Sequence, residues 1–310
     1  MWSVIGPRAT VGLTALDLAK KVENLMVLTC DVSTSAGLDR YRKTFPDKFL
    51  DLGIAEQNMI AVAAGLASEN FNVITTTFAP FQTMRCCEQI KVNLGYMKQK
   101  VCMIGIASGL VLGNLGYTHC CIEDIGVLRS IPNLTIISPS DSLETIKAIE
   151  KSIKHEQSVY IRITGSANNP IVNDRDYDFE IGKTITMKEG DDVIIFSSGA
   201  MVYESIKASQ KLQEKKIKVK VVNIHTIKPI NHLEILKHVE NKKLILTVEE
   251  HNVIGGLGSA ISEIIASKTI KARLIRIGIN DNYDKGGSYN YLKDKNKLNS
   301  EKIVNQIEKN

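Results

Sequence analysis

Short apolar runs alternate along the chain with longer segments whose apolar positions recur at helical spacing. This alternation is typical of mostly parallel sheets whose strands are joined by helices. In the first half it predicts strands at 25–29, 73–77, 101–106, 135–138 and 159–163, and helices at 9–21, 57–69, 80–94, 123–130 and 142–155. The first half is therefore predicted to form one α/β domain.

A polar stretch with few apolar positions, residues 165–176, interrupts this pattern. We interpret it as a linker between two domains, 1–166 and 167–310. Beyond it the pattern predicts strands at 193–196, 219–223, 244–248 and 273–277, and helices at 201–213, 231–239, 258–266 and 300–308. The predicted fold class is α/β, with two doubly wound domains whose sheets are mostly parallel.

Composition narrows the class of protein. The 310 residues suffice for two domains, and 44% of them are hydrophobic. No apolar run reaches the roughly 18 residues of a membrane span. The net charge of +5 is mild and the lysines are spread over predicted helix faces, so no nucleic-acid partner is expected.

The six cysteines follow neither a metal-ligand nor a disulfide-framework spacing. We expect reduced, mostly buried thiols, which are typical of a cytoplasmic protein. Cys120 and Cys121 adjoin His119, so one of them is a candidate to line a site. No residue of the chain is predicted to ligate a metal.

The loop and predicted helix at residues 51–67 carry the strongest chemical signal. Alanine and glycine dominate the helix, so another backbone can approach it closely. Glu56 lies in the first turn, where the helix dipole favours a carboxylate, and is the only acid of the helix up to residue 67. It is either a first-turn acid that supports the helix or a buried carboxyl that shares a proton with a ligand.

Four segments, taken in order, resemble the transketolase family. They are residues 51–67, 77–85, the loop 116–119 with the stretch 128–134, and residues 249–260. Together they extend over most of the chain, which makes the resemblance far more specific than any one segment. The resemblance implies an enzyme that uses thiamine diphosphate, a cofactor that carries the reactive carbon itself.

The resemblance also implies contacts to the pyrimidine ring of this cofactor. Glu56 matches the family's glutamate, which holds a ring nitrogen so that the cofactor's own amino group can act as a base. Phe81, with Phe78 beside it, matches an aromatic platform for the ring, although core packing is the simpler reading of a phenylalanine. Leu52 and Ile54, in the loop before the helix, are further predicted cofactor contacts.

His119 lies in a glycine-bounded loop and matches a histidine that stabilises charge and moves protons during the reaction. A lone histidine is more often structural. With Glu56 it forms the predicted catalytic pair.

Three residues match family positions that bind a substrate phosphate: Arg8, Ser35 and Arg162. The planar guanidinium of arginine suits this task because it can donate two parallel hydrogen bonds. The alternatives are a surface arginine for Arg8 and an ion pair at a strand end for Arg162.

Two further positions depart from the sugar-phosphate transketolases. Ala107 stands where these enzymes usually have a histidine, and Leu115 stands where an acid reads the acceptor hydroxyl. Both are predicted to lie in the substrate site. Loss of such polar partners should alter the choice of acceptor, since a buried unpaired hydroxyl is costly.

The family binds the diphosphate and its Mg²⁺ on another domain, through a Gly-Asp-Gly motif that this chain lacks. The resemblance therefore implies the carboxy-terminal half of a split transketolase, which needs an amino-terminal partner subunit and forms an α2β2 heterotetramer. The predicted reaction moves a two-carbon ketol unit from a ketose, or ketose phosphate, to an aldehyde- or keto-sugar acceptor.

Other readings stay open. The chain could belong to a deoxyxylulose-phosphate synthase type of enzyme, or be the beta-type subunit of a 2-oxo acid dehydrogenase. It could also be a regulatory subunit that keeps the fold without catalysis.

Overall fold

The computed structural model describes residues 2–173, 177–268 and 270–310. Their strands are β1 (Leu25–Thr29), β2 (Phe49–Asp51), β3 (Asn72–Phe78), β4 (Val101–Ile106), β5 (Leu134–Ile137), β6 (Ser158–Arg162), β7 (Ile185–Lys188), β8 (Val193–Ser197), β9 (Val219–Asn223), β10 (Thr226–Lys228), β11 (Leu244–Asn252) and β12 (Arg273–Ile279).

The α-helices of the described residues are α1 (Trp2–Lys21), α2 (Asp39–Thr44), α3 (Glu56–Ser68), α4 (Ala79–Gln82), α5 (Cys87–Gln89), α6 (Asp124–Arg129), α7 (Ser142–Lys154), α8 (Met201–Glu214), α9 (His232–Val239), α10 (Leu257–Ala266), α11 (Tyr289–Lys295) and α12 (Ser300–Glu308). Three-residue 3₁₀ turns occur at Pro46–Lys48, Met84–Cys86 and Gly113–Leu115, and a π-helical segment occurs at Ile90–Tyr96.

The first sheet has the strand order β10–β5–β6–β4–β3–β1–β2, and all neighbours are parallel except β10 and β5. The parallel strands therefore end at one edge of the sheet, at Thr29, Asp51, Phe78, Ile106 and Arg162. In open α/β sheets ligands bind outside this edge.

The second sheet has the order β12–β11–β8–β9–β7, with only β7 antiparallel to its neighbour. Its central strands are apolar runs, because both faces of such strands are covered. The predicted α/β class with two mostly parallel sheets is confirmed.

The two halves share more than a linker. Strand β10 comes from the second half of the chain, yet it extends the first sheet by pairing Thr226 with Ile137. One hydrophobic cluster includes Ile136 from the first half and Phe196 from the second. The halves are therefore packed through a common core.

The predicted linker is partly packed onto the first half. The backbone N–H groups of Val172 and Asn173 both donate to the carboxylate of Asp141. Phe179 is buried in the core of the first sheet. Residues 174–176, at the end of the predicted linker, lie outside the described residues, and the boundary at 166 stays a prediction.

The prediction of one helix over residues 80–94 was wrong. The segment divides into α4, a 3₁₀ turn, α5 and the π-helical segment. The break occurs at Thr83, whose hydroxyl donates to the carbonyl of Ala79 and whose φ and ψ of −116° and −78° differ from regular α-helix values. Side chains that bond the preceding turn compete with regular helix in this way.

The strands β2, β7 and β10 and the helices α2 and α11 were not predicted. Each strand has only three or four residues and lies at or next to a sheet edge, and such a run is too short to show a period.

Candidate functional site

The first turn of α3 is set by a tight loop after β2. Gly53 has a φ of 65°, a backbone conformation that favours glycine. The carboxylate of Asp51 accepts hydrogen bonds from the N–H groups of Asp31 (2.9 Å) and Gly53 (3.1 Å). This loop places Glu56 at the edge of the sheet, with only 4% of the residue exposed.

Glu56 has a cationic neighbour. Nη1 of Arg85 donates to Oε1 of Glu56 at 2.6 Å, and the Arg85 side chain is 39% exposed. The same guanidinium covers the ring of Phe81, with Cζ 3.9 Å from the ring centroid. A carboxylate, a planar cation and an aromatic face therefore form one continuous unit.

The predicted aromatic residues meet the predicted histidine. The ring centroids of Phe81 and His119 are 5.3 Å apart, and those of Phe78 and His119 are 6.2 Å apart. The Thr118 hydroxyl lies 3.0 Å from Nδ1 of His119. The structure thus brings Glu56, Phe78, Phe81 and His119 to the same place, as the family resemblance implied.

The loop of His119 is held by the second half of the chain. The N–H of Gly287 donates to the carbonyl of Gly113 at 2.9 Å. Tyr283 packs against Tyr117, with ring centroids 5.2 Å apart, and donates to Glu123 at 2.7 Å. Sequence analysis missed this contact because the polar segment after residue 280 shows no motif.

Arg8 and Ser35 line one pocket of about 310 Å³, together with Thr34 and Gly165. Thr34 and Ser35 follow β1 and Gly165 follows β6, so the pocket belongs to the same edge of the sheet as Glu56.

Arg162 does not fit the predicted phosphate-binding role. Its side chain is 2% exposed, and Nε donates to both carboxylate oxygens of Asp124, at 2.8 and 2.9 Å. Nη2 donates to the carbonyls of Cys121 and Glu250. Arg162 is therefore the ion pair at a strand end that the sequence left open as its alternative.

Ala107 also does not fit a direct contact with a substrate. It is 1% exposed and has a φ of 53°, so it forms a tight turn after β4. Leu115, in contrast, is 57% exposed in the loop of His119. In the loop before Glu56, Ile54 is 79% exposed, whereas Leu52 packs partly against the core.

The segment 249–260 forms a buried joint between the halves. Glu249 accepts from the first N–H groups of α10, and burial raises its pKa to about 7. Glu250 accepts from the N–H of Leu110 and the hydroxyl of Tyr289, both at 2.7 Å. Burial lowers the pKa of His251 to about 4. This part of the family pattern supports the fold.

The five buried cysteines lack the character of nucleophiles. Burial raises the pKa of Cys30 and Cys120 to about 11 and that of Cys86 to about 12, so their thiolates are scarce near neutral pH. Cys120 and Cys121 are both buried, so neither lines an open cleft.

Within residues 2–173, 177–268 and 270–310, His, Cys, Asp and Glu side chains do not gather in groups of three or more that could hold a metal ion. In the same ranges, every helix is too short or too polar to cross a membrane.

Comparison with known proteins agrees with the family resemblance seen in the sequence. The family model for the transketolase pyrimidine-binding domain matches residues 5–169, and that for the transketolase C-terminal domain matches residues 182–303. A putative transketolase C-terminal section from Methanocaldococcus jannaschii is 37% identical over 303 residues, which are 97% of this chain and 95% of that protein.

One of the subunits of an apulose-4-phosphate transketolase from Phocaeicola vulgatus is 34% identical over 275 residues, which are 89% of this chain and 88% of that protein. A solved split-gene transketolase, described as an inactive beta4 tetramer, has a TM-score of 0.88 and 31% identity over 98% of this chain and 97% of its own. With two family models over most of its length and relatives of matching size, this chain belongs to the transketolase family.

Proposed function

We propose that this chain is the pyrimidine-binding half of a two-subunit transketolase that depends on thiamine diphosphate. The observation that carries the proposal is the joint placement of Glu56, Phe81 and His119 at one sheet edge. The partner would be an amino-terminal subunit that holds the diphosphate and Mg²⁺, since this chain lacks the Gly-Asp-Gly motif.

The residues fit a planar nitrogen ring. The guanidinium of Arg85, itself planar and rich in N–H donors, lies between the Glu56 carboxylate at 2.6 Å and the Phe81 ring at 3.9 Å. An aminopyrimidine has the same shape and similar donors. Glu56 would hold its ring nitrogen, Phe81 and Phe78 would pack on its faces, and Ile54 and Leu52 would border it.

When bound, the cofactor supplies a carbon nucleophile for a ketose carbonyl. The contribution of this chain is then to orient and to move protons. Glu56 shares a proton with the ring, and its burial keeps water away from that contact. His119 lies against both aromatic rings, where an imidazole can donate to an oxygen of the substrate.

The reaction would transfer a two-carbon ketol unit from a ketose or ketose phosphate to an aldehyde- or keto-sugar. Arg8 and Ser35, which share one pocket, would bind a phosphate of the substrate. The relative from Phocaeicola vulgatus is named for apulose 4-phosphate, which supports an acceptor or donor outside the common sugar phosphates.

The test is an assay of the chain alone and of the chain co-expressed with the amino-terminal transketolase subunit of the same genome. We expect transfer from a ketose phosphate to an aldose only in the complex. Consumption of pyruvate without ketol transfer would favour the synthase or dehydrogenase alternative. Full activity of the chain alone would contradict the split arrangement.

We also propose that the complex is an α2β2 heterotetramer and that the chain without its partner self-associates. The solved split-gene relative is described as an inactive beta4 tetramer, which supports self-association of the chain without its partner. Sedimentation velocity of the chain, with and without the partner, checks both states; a monomer at all concentrations would contradict the second.

A further inference from the structure

Arg85 makes two contacts that the proposed function assigns to the cofactor. Its Nη1 is 2.6 Å from Oε1 of Glu56, and its Cζ is 3.9 Å from the centroid of Phe81. A pyrimidine ring cannot bond the Glu56 carboxylate and stack on the same face of Phe81 while the guanidinium is there. The two groups therefore compete for one position.

The backbone at Arg85 is held by hydrogen bonds, whereas its side chain is partly exposed. The carbonyl of Arg85 accepts from Nε2 of Gln57 at 3.1 Å, and the neighbouring Cys86 thiol donates to the carbonyl of Phe81 at 3.1 Å. The Arg85 side chain itself is 39% exposed. Rotation of that side chain would return the guanidinium to water without disturbing the turn.

The two members of the pair differ in what they lose on separation. The Arg85 guanidinium regains hydration, so its release costs little. Glu56 is almost fully buried, and a buried carboxylate without a partner is costly. An exchange of Arg85 for another planar donor leaves Glu56 paired throughout, whereas simple loss of Arg85 does not.

We propose that Arg85 occupies the pyrimidine position in the chain without cofactor and is displaced when the cofactor binds. Arg85 is thus a residue that sets cofactor affinity through competition, outside the set that the family motif suggests. This inference rests on the proposed function, because the displaced contacts are those of the pyrimidine ring.

The first experiment is calorimetric titration of thiamine diphosphate with Mg²⁺ into the reconstituted complex. Arg85→Ala should bind more tightly, on the order of fivefold, because the fraction of open sites rises. Arg85→Lys keeps the charge but not the planar guanidinium. Its affinity for the cofactor should lie between those of the wild type and Arg85→Ala. Arg40→Ala, an exposed arginine on α2, is the matched control and should bind as the wild type does.

The second experiment measures the side chain directly. A dicarbonyl reagent that modifies arginine, read by mass spectrometry, should label Arg85 faster after the cofactor is added. An ordinary binding residue would be protected instead. This readout does not depend on catalysis.

The outcomes separate the two proposals. Weaker binding in Arg85→Ala together with protection of Arg85 would mean that Arg85 contacts the cofactor, which overturns the competition. Equal binding in all variants would also overturn it but leave the proposed function intact. No binding in any folded complex, wild type included, would overturn the proposed function and this inference with it.

Discussion

Two of the carboxylate–arginine pairs in the first half of this molecule differ in almost every respect. Asp124 and Arg162 are 0% and 2% exposed and are joined by two contacts from Nε, with further bonds to backbone carbonyls. Glu56 and Arg85 share one bond, and Arg85 is 39% exposed.

The comparison separates a structural pair from an exchangeable one. An enclosed pair cannot give up a partner without leaving a charge in the interior, so it is a permanent part of the buried structure. A pair with one open side can trade its exposed member for a ligand. Both pairs join a carboxylate to a guanidinium, and the difference in burial decides whether a partner can be exchanged.

The largest expected effect is on stability. Arg162→Leu leaves the buried Asp124 with the Tyr160 hydroxyl but without its cation, and we expect a loss of about 3–5 kcal/mol in the free energy of unfolding. Urea denaturation measures it. The double variant Arg162→Leu/Asp124→Leu removes both charges and should recover part of the loss. If Arg162→Leu is as stable as the wild type, the pair does not stabilise the folded protein.

Glu56→Gln should change activity strongly and stability little, which is the opposite of the effect expected for Arg162→Leu. It removes the proposed ionisable partner of the pyrimidine, so turnover of the reconstituted complex should fall on the order of 10²-fold or more. The unfolding midpoint in urea should change little, because a buried amide can keep a hydrogen bond at this position. Near-normal turnover would mean that another carboxyl serves the cofactor.

The contact between the two halves at the His119 loop predicts an intermediate effect. A side chain on Gly286 would place Cβ 2.8 Å from the carbonyl oxygen of Gly113, so Gly286→Ala should shift the loop. We expect kcat to fall about tenfold with KM for the donor less affected, because the histidine is misplaced.

The matched control for that loop is Lys285→Ala, which removes an exposed neighbour. Steady-state kinetics and a melting curve of both variants are the measurements. If Gly286→Ala and Lys285→Ala have the same kcat, the second half does not position His119.

The smallest expected effect concerns the acceptor. Leu115→Asp restores an acid in the His119 loop and should favour acceptors with a hydroxyl next to the carbonyl by roughly 1–3 kcal/mol. The ratio of kcat/KM for matched acceptors with and without that hydroxyl reports it, and Leu115→Ala controls for loss of the apolar side chain. An unchanged ratio in Leu115→Asp would mean that Leu115 does not read the acceptor.

Sequence patterns located most of the fold because its buried strands and amphipathic helices carry a local period. β1, β4 and β9 have the predicted limits, and α12 does too. The break within 80–94 was not predicted; it falls at Thr83, whose hydroxyl donates to the carbonyl of Ala79, and the nearby Cys86 thiol donates to the carbonyl of Phe81.

Arg162 and Arg85 show which features of the site the local sequence could not predict. Arg162 looked functional because its partner Asp124 lies 38 positions away in sequence. Arg85 lies inside a segment that resembles the family, four positions after Phe81, but the resemblance gave it no role. Only the turn at Met84–Cys86 brings its guanidinium onto the Phe81 ring. The roles of both arginines depend on burial and on pairing with residues distant in sequence.

The central claim is that this chain holds only the pyrimidine half of a cofactor site. Calorimetric titration of thiamine diphosphate with Mg²⁺ into the folded chain, alone and with the amino-terminal subunit, tests it directly. We expect no measurable binding by the chain alone and saturable, Mg²⁺-dependent binding by the complex. Micromolar, Mg²⁺-dependent binding by the isolated chain would contradict it.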